Sequence, residues 1–154
     1  YIQRREWTAI ESAATPTVTT ENGRLTQAQA DWLRTADTFF IATTDTAGNA
    51  DASHRGGAPG FVHVVDDHHL EFADYPGNNM FLTLDNISAE PTAGLLFIDW
   101  DGGTVLHLTG SVAIRSELDG RADGAALSIE LTVEHVVERR HVTPLRWSVP
   151  AITG

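Results

Sequence analysis

Residues 104–114 read TVLHLTGSVAI. Leu106, Leu108, Val112 and Ile114 fall on alternate positions, and alternate side chains of a strand share a face. One side of this stretch is therefore built for a core. Residues 127–137, LSIELTVEHVV, repeat the pattern, with Leu127, Ile129, Leu131 and Val133 inward and Glu130, Thr132 and Glu134 outward. Upstream, TAGLLFIDW (92–100) is a buried strand joined to residues 104–114 by the hairpin turn DGG (101–103). TFFIATT (38–44) is β-rich and ends at the turn DTAGN (45–49), with ADASHR (50–55) as its partner strand. GFVHVV, broken by DDHH, and LEFAD, broken by YPGN, supply two more strands.

Two helices interrupt them. Thr26 followed by Gln29 is a capping box, so LTQAQADWLRTA predicts a helix over about 26–36, with Leu25 as its staple. In NMFLTLDNI, residues Met80, Phe81, Leu84 and Ile87 have helical spacing, and Pro91 ends the element. Residues 1–24 read as an irregular arm with at most a short strand, 25–143 as one barrel core and 144–154 as a tail. LDGRADGAA (118–126) reads as a loop or a short helical turn. Six or seven closely spaced strands and two helices predict a mainly β protein, a small antiparallel barrel. Closing the barrel removes exposed edges.

Composition limits the chemistry. The 154 residues hold no cysteine, which excludes disulfides, thiolate metal sites and a cysteine nucleophile. The net charge is −11 and all ten basic residues are arginine. So acidic a chain repels nucleic acid and anionic membranes, and Schiff-base chemistry on lysine is impossible. With no apolar run of membrane length, the expected location is cytoplasmic. An anionic ligand would need local positive charge. Two places offer it. SHRGGAPGF (53–61) sets Arg55 beside Gly56 and Gly57, either a glycine corner with a surface ion pair or an anion fork. YPGNN (75–79) opens a helix, where Asn78 is a simple N-cap or part of an anion site.

The order and spacing of three stretches carry a resemblance: residues 39–64, 70–100 and 106–114. Together the chain resembles the pyridoxamine 5'-phosphate oxidase-like FMN-binding split barrels, in their small flavin-nucleotide-binding branch. The resemblance implies a six-stranded antiparallel Greek-key split barrel that forms a homodimer, with FMN at the dimer interface. Deazaflavin and haem stand behind FMN as alternative cofactors. It implies a cofactor site of Arg55, Gly56 and Gly57 on the second barrel strand, with Phe72, Ala73 and Asp74 lining the ring. Gly77, Asn78 and Asn79 would form the phosphate-binding helix start. Asn79 stands where the family often has a basic residue. Trp100 is either a hairpin cap or a wall of the ring slot. The implied activity is flavin-dependent oxidation or reduction of a small organic substrate, with NADH or NADPH as donor; the alternative is a binding or storage module.

No acid–base triad is visible, because Ser53 and His54 point to opposite faces of a strand. His68 and His69 are expected to diverge, so no metal site is expected. His63 and His107 should face away from the apolar side. RRHVTPLRW (139–147) reads as a solvated tail, or as a segment reaching a partner's groove.

Overall fold

The computed structural model describes residues 2–4, 7–10, 15–74, 80–115, 127–148 and 151–153, except the side chains of 2–4, 7–10, 19, 80, 81 and 151–153. In chain order the elements are β1 (Ile2–Arg4), β2 (Trp7–Ile10), β3 (Thr17–Asn22), α1 (Gln27–Thr35), β4 (Thr38–Thr44), β5 (Ala50–Gly56) and β6 (Val62–Val64). There follow β7 (His69–Asp74), α2 (Met80–Ala89), β8 (Thr92–Ile98), β9 (Val105–Arg115), β10 (Leu127–Arg140), β11 (Leu145–Trp147) and β12 (Ala151–Thr153).

The alternating segments pair as their pattern requires. One curled antiparallel sheet runs β5-β4-β8-β9-β10-β7-β6, and β3 also pairs with β10. This is the split barrel that the sequence implied, with eight strands rather than six. The stretch read as an irregular arm supplies β3 to the sheet, and β1 and β2 pair with β12 and β11. Threonines and Val18 give β3 its β preference. The expected loop at 118–126 lies outside the described residues. No described helix is long and apolar enough to cross a membrane.

β10 is the spine, carrying β3, β7 and β9. Its inward parity runs Ile129, Leu131, Val133, then jumps to Val136. The cause is a bulge. Val133 pairs with Gly110 and His135 with Thr109, so Glu134 is the extra residue. Gly110 is required there, since the Thr132 carbonyl occupies the space a side chain would need.

Phe39 sits at the centre of the core. Its ring meets Phe72 at 4.9 Å, Phe97 at 5.2 Å and Phe61 at 5.6 Å. Such aromatic packing anchors a small barrel. α1 is fixed by the predicted box: Thr26 Oγ1 accepts from the Gln29 backbone and Gln29 Oε1 accepts from the Thr26 N–H. Leu25 is buried, as a staple should be. α2 packs on β4 and β9, where Asn86 Nδ2 donates to Thr43 Oγ1 at 3.1 Å.

The two ends of the sheet, β5 and β6, are joined by a turn. The Phe61 N–H donates to the Ala58 carbonyl, with Pro59 and then Gly60 at φ +92° in the corner. That is the residue choice of a type II turn. β5 thus faces β7 across the split of the barrel, and the polar side chains that meet there form the site.

Candidate functional site

Ser53 and Arg55 lie two apart on β5 and share its inner face. Arg55 is 6% exposed, and its guanidinium reaches across the split to Asp74 at the end of β7. Nε lies 2.7 Å from Asp74 Oδ1, and the second terminal nitrogen donates to Oδ2 at 3.3 Å. Two guanidinium nitrogens thus approach the two oxygens of one carboxylate, one as a hydrogen bond and one as an ion-pair contact. The first terminal nitrogen donates to Ser53 Oγ at 2.8 Å and to the His54 carbonyl at 3.1 Å. The second also donates to Thr83 Oγ1 at 3.3 Å, from the start of α2. Both terminal nitrogens thus donate to protein acceptors, and Nε lies in ion-pair contact with Asp74. A buried charge is tolerable only when paired and hydrogen-bonded in this way.

The other predicted residues fall around this cluster unevenly. Gly56 closes β5 opposite Thr38. Gly57 donates its N–H to the Asp37 carbonyl, and a Cβ on it would come within 2.9 Å of three Phe61 carbons. Its role is to let Phe61 stack on Phe39. Phe72 is hydrogen-bonded on both sides, to β6 and β10, and its ring belongs to the core. Ala73 and Asp74 run past the end of β6, and Ala73 is exposed there. Gly77, Asn78 and Asn79 lie outside the described residues.

This arrangement accompanies a family match. Residues 25–146 match the pyridoxamine 5'-phosphate oxidase family. The chain belongs to it. No curated protein matches in sequence. Among solved structures, one is assigned as a pyridoxamine 5'-phosphate oxidase from Lactobacillus delbrueckii. It shares 20% identity at a TM-score of 0.60, over 75% of this chain and 94% of that one. The haem storage protein HutZ of Vibrio cholerae shares 12% at a TM-score of 0.53, over 74% and 95%. An FAD-binding protein of Mesorhizobium loti shares 14% at 0.51, over 77% and 96%. At these identities the structures show a common fold.

Trp100 stands apart from the Arg55 cluster. It meets Trp147 edge to face at 5.4 Å, and the Trp147 N–H donates to the Trp100 carbonyl. With Trp32, Asp37, Thr38 and Asp99 it lines a cavity of about 290 Å³ that has no basic side chain in its wall. Thr38 links the two regions, since its hydroxyl donates to the Arg55 carbonyl at 3.3 Å and touches the His54 ring. Of the segment read as a solvated tail or as reaching a partner's groove, residues 139–142 are exposed and residues 143–147 fold back here. Arg146 is buried and donates to the carbonyls of Thr143 and Leu145.

The histidines correct one expectation and meet another. His68 and His69 do not diverge; their ring centroids are 4.0 Å apart. Asp66 accepts both backbone N–H groups through Oδ1, which turns the chain and swings both rings toward its carboxylate. The His69 ring bonded to it holds that carboxylate near 2, well below its usual 3.8. His63 and His107 face outward as expected. Partial burial, and then Arg139, push the His107 ring below the usual imidazole range.

The sequence reading missed the side-chain roles of Ser53, Asp74 and Thr83. One signal was present: Thr83 and Asn86, three apart, share one side of α2 and are buried, whereas its other polar residues, Asp85 and Ser88, are exposed.

Proposed function

We propose that this chain binds FMN at the split between β5 and β7 and serves as a flavin-dependent oxidoreductase on a small organic substrate. One observation carries the reading: a buried arginine and two hydroxyls, one of them from Thr83 on α2, meet at one point of an otherwise acidic chain. The family match supports the choice of a flavin nucleotide.

The donor set fits a phosphate. A guanidinium fork is made for it, and Arg55 is the only basic residue between Arg34 and Arg115. Asp74 occupies that fork, so it is the acceptor with which a phosphate competes. Ser53 and Thr83 position the guanidinium. Ala73, exposed beyond the end of β6, borders the ring. A homodimer supplies the opposite wall, to which exposed Leu82 on α2 contributes. A bound flavin supplies two-electron chemistry with NADH or NADPH as donor, and the protein supplies placement and charge.

A haem reading finds less support at this point. An axial ligand is needed. The nearest histidine in sequence, His54, lies on the opposite face of β5, in contact with Thr38 and with its ring tilted against Phe40 at 5.6 Å.

The visible spectrum of the purified protein tests the proposal, followed by anaerobic addition of NADH or NADPH. Flavin absorbance that bleaches on addition supports an oxidoreductase. Flavin absorbance that neither nucleotide bleaches reduces the protein to a carrier. A Soret band in place of flavin absorbance overturns the cofactor.

A further inference from the structure

The hairpin between β6 and β7 holds a convergent donor set that the flavin reading leaves unused. Asp66, His68 and His69 each offer one ligand atom, all within 4.8 Å of one another. His68 Nδ1 lies 3.2 Å from Asp66 Oδ1, and His69 Nδ1 lies 2.8 Å from Asp66 Oδ2. A tetrahedral zinc with ligands at 2.0–2.1 Å sets neighbouring donors roughly 3.3 Å apart. Each ring nitrogen already lies near that distance from one oxygen of the Asp66 carboxylate.

We propose that Asp66, His68 and His69 form a binding site for a divalent transition metal of the zinc class. Two imidazoles and one carboxylate suit Zn²⁺, Ni²⁺, Cu²⁺ or Co²⁺ better than the oxygen-seeking Ca²⁺ and Mg²⁺. Coordination replaces the protons that bind these rings to the carboxylate, and water completes the shell.

The site is held from outside, as metal sites require. Asp66 Oδ1 is fixed by the N–H groups of His68 and His69, which presents Oδ2 to the ion. The backbone is pinned at three further points. Leu25 N–H donates to the Asp67 carbonyl, Val133 N–H to the His68 carbonyl and Val65 N–H to the His69 carbonyl. Two more charged groups face the cluster. Asp67 Oδ1 is 2.6 Å from His68 Nδ1. Arg24 is 3.0 Å from the same Asp67 oxygen and 3.3 Å from His68 Nδ1. Asp67 reinforces the site and Arg24 opposes it.

The test is Zn²⁺ titration of the tag-free chain by calorimetry, with Co²⁺ absorption bands reporting the ligand geometry. One ion should bind per chain and raise the melting temperature. Asp66→Asn, His68→Ala and His69→Ala should each weaken it by about ten-fold or more, and Arg24→Ala should tighten it. His63→Ala and His135→Ala, at exposed histidines on other strands, should change nothing. Absence of Zn²⁺ binding, or His68→Ala and His69→Ala variants that bind as tightly as the parent, would overturn the proposal. Because the site is separate from Arg55, these outcomes stand whether or not the protein carries flavin.

Discussion

Two arginine–aspartate pairs flank β7, and they differ in almost everything except chemistry. Arg55 and Asp74 close the C-terminal end of the strand with side chains 7% and 1% exposed. Arg24 and Asp67 sit at its N-terminal end, 63% and 49% exposed. The buried pair engages two guanidinium nitrogens, bridges the split of the barrel and gathers two hydroxyls around it. In the exposed pair a single Arg24 nitrogen reaches the two Asp67 oxygens, at 3.0 and 3.3 Å, in water. Burial converts an interaction of little consequence into one the local structure depends on, because each buried charge relies on the other.

The largest expected effect follows from that dependence. Arg55→Ala leaves the Asp74 carboxylate buried and uncompensated, and should cost about 3–5 kcal/mol of stability in urea unfolding. A double change to apolar residues, Arg55→Met with Asp74→Leu, should recover most of the loss, because neither charge then remains buried. If the single and double variants are equally unstable, the pair is not the bridge described here.

At the exposed end, Arg24→Ala should cost less than about 1 kcal/mol, and the difference should vanish at high salt. A cost comparable to that of Arg55→Ala would erase the contrast.

The smallest effect is acid-dependent. The Asp66 carboxylate titrates near 2 in the folded chain and near 3.8 when unconstrained. The unfolded chain therefore takes up this proton first as pH falls. The stabilisation is complete above 3.8 and disappears as pH drops through about 2. Asp66→Asn should remove this contribution, lowering stability near neutrality, flattening the curve across that window and leaving stability unchanged below about pH 2. The check is the midpoint of urea unfolding measured at several acid pH values.

Much of this architecture was written in local pattern. Period-two runs marked β9 and β10, and Thr26 with Gln29 marked the start of α1. Ser53 and Arg55 even shared a readable parity. What escaped was non-local. Asp74 is 19 residues from Arg55, and only the curl of the sheet brings them together. The bulge at Glu134 depends on Gly110 in the neighbouring strand. β3 was obscured because its ladder partner lies more than a hundred residues away. His68 and His69 were misjudged because strand alternation was applied to a turn, where Asp66 draws both rings to one side.

The central claim is that the guanidinium bridging the split is also the charge that receives the FMN phosphate. FMN and riboflavin differ by that phosphate, so paired fluorescence-quenching titrations isolate it. A charged hydrogen bond is worth about 1.5–3 kcal/mol, or one to two decades of affinity. Arg55→Ala, measured below its melting temperature, should weaken FMN by about ten-fold or more and leave riboflavin unchanged. Asp74→Asn, which removes the competing carboxylate, should shift FMN the other way and again spare riboflavin. Opposite signs confined to FMN are the predicted result. Equal changes in both ligands, or FMN affinity that ignores both substitutions, would contradict the account.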